Sequence, residues 1–131
     1  MMEIDSELVR LLMRVGYSAG WNGHFAQALT IFRGVSAVRP ESEVPLIGAA
    51  VVGMLAKDYD LATKILDRAV ENHPENDLVK AHQGCLLRLK GQEEEGQAIL
   101  SSIAENSEDP NAKVLATQVK DTPVEELFAA K

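Results

Sequence analysis

The residues able to do chemistry are few and dispersed. The chain has three histidines, His24, His73 and His82, and one cysteine, Cys85. His24 and His73 fall at expected turns or helix ends, where a solvated or capping histidine is the ordinary reading, and no zinc-type ligand set is expected. A single cysteine on a helix that packs is a small apolar filler. It allows no internal disulfide, which fits a reducing compartment. The run "GQEEEG" places Glu93, Glu94 and Glu95 in succession. Consecutive residues on a helix point in different directions, so these carboxylates cannot converge as an acid/base pair. At a helix start their charge instead suits the macrodipole. Neither a glycine-rich phosphate loop nor a Gly-x-Ser-x-Gly elbow occurs. The residues therefore point to no enzyme, no cofactor and no metal.

The elements that carry these residues are bounded by size and charge. At 131 residues and 46% apolar composition, the chain is one ordinary domain with enough material for a core. Its net charge of −7 repels phosphate backbones and anionic lipid surfaces, so neither nucleic acid nor membrane is an expected partner. The N-terminal "MMEIDSELVR" has no signal-peptide pattern, and the most apolar stretch, "VPLIGAAVVGMLA", is too short to span a bilayer at 13 residues. A soluble, cytoplasmic protein is expected.

Self-similarity then organises the chain. "WNGHFAQALTIF" begins at Trp21, "LAKDYDLATKIL" 34 residues later at Leu55, and "LKGQEEEGQAIL" another 34 on at Leu89. Pro40 and Pro74 share that spacing, as do Ala28 and Ala62, Phe32 and Leu66, Phe25 and Tyr59, and Gly16 and Ala50. The third unit places Gly84, Gly91, Gly96, Leu100 and Ile103 at the same offsets, with Pro110 two residues late. A fixed 34-residue period indicates helix-turn-helix units. Small residues at Gly16, Ala50, Gly84, Ala28 and Ala62 let paired helices approach closely, bulky Phe32, Leu66 and Leu100 fill the space around them, and the prolines end helices. The expected helices are about 5–21, 25–38, 43–56, 59–72, 77–90 and 93–105, with a seventh at about 111–120 covering the last apolar side. One further apolar turn is expected at Leu127 and Phe128.

These residues resemble the tetratricopeptide repeat, in three copies at about 9–42, 43–76 and 77–110, followed by the capping helix and a tail at 121–131. The first copy matches at Leu12, Val15, Gly16, Gly23, Phe25, Ala28, Phe32 and Pro40. The third departs, with Lys80 at a large-apolar position and Gly96 where alanine is usual, and no copy has the family's tryptophan at its fourth position. The resemblance implies an all-α, right-handed superhelical solenoid in a single domain.

It also implies a concave groove lined by the first helix of each repeat. Mapped onto this chain, the groove positions are Arg10, Met13, Tyr17, Gly20 and Trp21; Val44, Ile47, Val51, Met54 and Leu55; then Leu78, Ala81, Cys85, Arg88 and Leu89. The family's co-chaperones grip a C-terminal carboxylate with Lys, Asn and Arg there. Here Met13, Tyr17, Ile47, Val51, Ala81 and Cys85 stand instead, so an apolar or amphipathic helix of another protein is the expected partner. On this reading Val51→Asp leaves the free protein folded, because the groove is open to water, whereas Ala62→Asp unfolds a helix–helix contact. Three alternatives stay open: the stripe is core, the tail folds back onto it, or a homodimer hides it.

The stretch "DSELVRLLMRVGYSAGWNGHFAQALTIFRGVSAVRPESEVPLIG" is similar to the small repeat chaperones of bacterial type III secretion systems, alike in size, acidity and apolar groove. That resemblance implies stoichiometric protection of an export or needle subunit. The alternative is an adaptor that links two proteins without protecting either; a homodimer or a heterodimer is open on both readings.

Overall fold

The computed structural model describes residues 5–128. They form seven helices: α1 Ser6–Trp21, α2 Phe25–Val38, α3 Val44–Leu55, α4 Tyr59–Asn72, α5 Asp77–Leu89, α6 Glu93–Asn106 and α7 Pro110–Asp121. A 3-10 turn follows at Val124–Glu126, and the described residues contain no strand. Every expected helix is present, with ends displaced by a residue or so. Pro40 and Pro74 lie outside helices, while Pro45 and Pro110 occupy first-turn positions, where a missing N–H costs nothing. The apolar turn expected at Leu127 and Phe128 is present as a turn directly after that 3-10 segment.

The 34-residue period is visible in the backbone itself. After α1, His24 N–H reaches Ala19 O (2.8 Å) while Gly23 N–H reaches Gly20 O (3.1 Å). After α3 the same pair is Asp58 to Gly53 (2.9 Å) and Lys57 to Met54 (3.1 Å). After α5 it is Gln92 to Leu87 (2.9 Å) and Gly91 to Arg88 (3.1 Å). This is one Schellman ending made three times, and it requires a left-handed residue just past the helix. Gly23 (φ 85°), Lys57 (φ 58°) and Gly91 (φ 88°) supply it. Glycine does so without steric cost, and Lys57 takes the same conformation with a side chain.

The chain divides into two compact units, with the division inside α4. In the first, α1, α2 and α3 pack on one another. Phe32 is its fully buried centre, between α1 and α3. A Cβ at Gly16 would lie 2.8 Å from the Phe32 ring, and one at Gly48 only 2.5 Å. Helix contact at this distance is possible only because both positions lack a side chain. Met13, Ala28, Val35, Ala49 and Val52 close the cluster. A buried side chain of this size contributes about 1.5–3 kcal/mol. Ala62 is fully buried as expected, its Cβ 3.1 Å from where a Gly53 side chain would begin.

In the second unit α5, α6 and α7 pack on one another. Here α5 and α6 cross at backbone distance: a Cβ on Gly96 would sit 2.6 Å from Gly84 O, and one on Gly84 would sit 2.8 Å from Leu100 Cγ. Gly96 in place of the usual alanine therefore gives a tighter crossing. α7 is held at both ends. Asp109 caps its start, accepting from Asn111 N–H at 2.9 Å, and Ser107 Oγ donates to Asp77 Oδ2 at 2.7 Å. At its far end Gln97 Nε2 donates to Lys120 O at 2.7 Å, and Arg88 Nη1 donates to Val119 O and to Thr122 O (2.8 Å). These bonds satisfy carbonyls that a helix end leaves without intrahelical partners, and the cation suits the negative end of the helix dipole.

Candidate partner-binding surface

Burial sorts the expected groove residues into two kinds. In the first unit Met13, Ile47, Val51 and Met54 are buried, Tyr17 and Leu55 are half-buried, and Trp21 is 48% exposed. In the second, Ala81, Cys85 and Arg88 are buried and Leu78 is half-buried. The expectation that Val51 faces an open, water-filled groove is corrected: at 5% exposure it belongs to the interior, so an aspartate there burdens the free protein. Met13, Ile47, Met54, Ala81 and Cys85 are corrected in the same way. The expected groove residues that keep exposed surface are Arg10, Tyr17, Trp21, Val44 and Leu55 in one unit and Leu78 and Leu89 in the other.

Of these, Tyr17, Trp21 and Leu55 flank the place where Gly20 lets α1 meet α3. Tyr17 and Trp21 are one turn apart on α1. Between them Gly20 brings α1 against α3, where an added Cβ would meet Val52 at 3.1 Å and Leu55 Cδ1 at 3.6 Å. The Tyr17 ring stands edge-on to Phe32, with centroids 5.1 Å apart at 68°. The core thus fixes that ring, and burial raises its phenol pKa above the usual value. The result is a rigid aromatic edge with an apolar neighbour, able to bury a partner's side chains but holding no reactive group.

Arg88 requires a separate correction. As a groove residue it would offer a cation to a partner. Instead its Nε donates to Glu93 Oε1 at 2.9 Å and its Nη1 holds the end of α7. All of its charge is spent inside the fold.

The expectation that Cys85 has no histidine near it in sequence is corrected: His82 stands three residues before it on α5. Both are buried. His82 Nδ1 lies 2.8 Å from Leu78 O, and since a carbonyl only accepts, Nδ1 carries the hydrogen. Burial lowers the His82 pKa, partly opposed by that bond. Burial also pushes the Cys85 thiol up to about 12, with Arg88 pulling weakly the other way. A neutral imidazole beside a neutral thiol is not an activated nucleophile. Among the described residues no group of three or more His, Cys, Asp or Glu could hold a metal ion. Among them too, no helix is long and apolar enough to cross a membrane.

The sequence reading missed one surface. Leu8, Leu11 and Val15 on α1 are each close to half exposed. Val15 is one of the positions at which the first copy matches the repeat pattern. Its counterpart 34 residues on, Ala49, is buried in the first unit's core, and Pro45 and Val79, the counterparts of Leu11, are buried as well. The physical reason is position: α2 packs beside α3, but no described helix stands on the corresponding side of α1. The signal was present in "SELVRLLMRV", whose apolar residues are too many for one buried face.

The model of the bacterial type III secretion protein family HrpB1_HrpK matches residues 1–123 of the chain. No curated protein matches it.

Proposed function

Because the chain belongs to the HrpB1_HrpK family of bacterial type III secretion proteins, we propose that it is a non-enzymatic chaperone that holds an apolar helix of another component of the secretion system. The client helix docks on Tyr17, Trp21 and Leu55, and export or needle subunits are the candidate clients. The observation that carries this reading is the exposed Trp21 beside a core-anchored Tyr17, in a chain of a secretion family. Aromatic residues held rigid by a core bind at low entropic cost and dominate interfaces. The mechanism is stoichiometric: a subunit that polymerises through an apolar helix stays monomeric while that helix is covered.

Co-expression with individual needle and translocator subunits of the same system tests this. The client should co-purify at one-to-one stoichiometry and stay monomeric by light scattering. Trp21→Asp should release it while helicity is kept, since Trp21 is exposed. A subunit that polymerises equally fast with or without the protein refutes the chaperone role. If it stays bound while polymerising, the adaptor reading takes its place. Fractionation of the native host addresses where this happens: the reading places it in the cytoplasm before export, and recovery from the periplasm would move it to the assembling apparatus.

A further inference from the structure

We propose that Leu8, Leu11 and Val15 form a seam through which two copies of this chain pair antiparallel, α1 against α1. The three side chains recur at spacings of three and four, which draws one stripe along the helix. They are 45%, 48% and 45% exposed. The stripe lies on a different face of α1 from Tyr17 and Trp21, so pairing leaves the aromatic edge open.

The flanking charges select the occupant. Glu7 and Arg14 border the stripe seven residues apart, both exposed, and neither belongs to an ion pair among the described residues. An antiparallel crossing centred near Leu11 sets Glu7 of one copy against Arg14 of the second copy, and two-fold symmetry makes the contact twice. A parallel crossing would instead set Glu7 beside Leu12 and Arg14 beside Ala19 of the second copy, leaving both charges without an opposite partner. Head-to-tail stacking, with α7 of one copy covering α1 of the next, fits less well. The exposed positions of α7 are Pro110, Asn111, Lys113, Val114, Thr117, Gln118 and Asp121, among which Val114 is the one large aliphatic side chain. The surface is therefore self-complementary under a two-fold and mismatched to the other end of the chain.

The seam is small. Three half-exposed side chains and their borders cover well under the ~800 Å² per partner of a standard stable interface. The dimer is therefore reversible, forming in the micromolar range. Sedimentation velocity of the full chain between roughly 5 and 300 µM should show the mass rising from 14.3 kDa towards twice that value. Leu11→Glu should hold it at the monomer mass with unchanged helicity, because the site is on the surface. Glu7→Arg and Arg14→Glu should each weaken dimerisation about tenfold or more, and the double variant should restore it by exchanging the partners. Three results would overturn the proposal: a wild-type protein that stays monomeric throughout, a mass that climbs past the dimer, or a double variant as weak as either single one.

Discussion

Replacing Arg88 with methionine should detach the capping helix without emptying the space its aliphatic stem fills. The substitution removes the donors of three bonds, Nε to Glu93 and Nη1 to Val119 O and Thr122 O. The Glu93 carboxylate is 49% exposed, so water takes over there and that contact is worth only about 0.5 kcal/mol. Thr122 is half-buried, and its carbonyl can also find water. Val119 is buried, and its carbonyl keeps only a long bond from Thr122 N–H at 3.3 Å. Stranding a buried acceptor costs about 1–3 kcal/mol. Loss of the cation at the helix C-terminus adds about 0.5–1 kcal/mol. The sum is about 2–4 kcal/mol, which lowers the melting temperature by roughly 6–16 °C for a domain of this size. Circular dichroism gives the melting temperature, and hydrogen exchange gives the location: amides of α7 should lose protection before those of α1 to α3. Arg88→Lys, which keeps the charge but not the fork, should fall between. If Arg88→Met melts within about 1 °C of the wild type and α7 stays protected, the clamp carries no stability and the reasoning fails.

Other substitutions test other parts of the structure. Gly96→Ala installs the residue usual in the resembling repeat, yet its Cβ would press on Gly84 O, so it should destabilise by about 1–3 kcal/mol in denaturant titration; a stabilised variant would show that the crossing relaxes freely. Val51→Asp should cost several kcal/mol and reduce helicity, as should Ala62→Asp, since both sites are buried; a fully helical Val51→Asp protein would restore the open groove. Burial depresses the His82 pKa below its unfolded value, so above about pH 6.5 the group has no effect on stability, and below it the unfolded state binds the extra proton. Stability should then fall by at most about 1.4 kcal/mol per pH unit from this group, and His82→Gln should flatten that part of the profile measured by denaturant titration.

The helices were legible in the chain because their signals are local. Proline positions, small residues at contact offsets and the 34-residue repetition marked each helix to within a residue or so, and the repetition turned out to reach individual turn hydrogen bonds. Even the cap on the last repeat could be placed, since an array must end somewhere and "NSEDP" breaks the chain. Which apolar residues stay in water could not be read the same way. Val51 and Trp21 look alike as apolar positions on one stripe, yet one is interior and the other is open, because accessibility depends on what lies opposite and not on the stripe. Leu11 and Val15 show the converse: they carry the residue types of buried repeat positions but occur on the first described helix, where no other described helix covers them. Arg88 shows it for charge. Its spacing assigned it to a groove, and only the return of α7, whose last carbonyls lie 31 and 34 residues further along the chain, made it a clamp. Helix formation depends on neighbours in sequence, whereas exposure and ion pairing depend on neighbours in space, and those are settled only once the chain has folded.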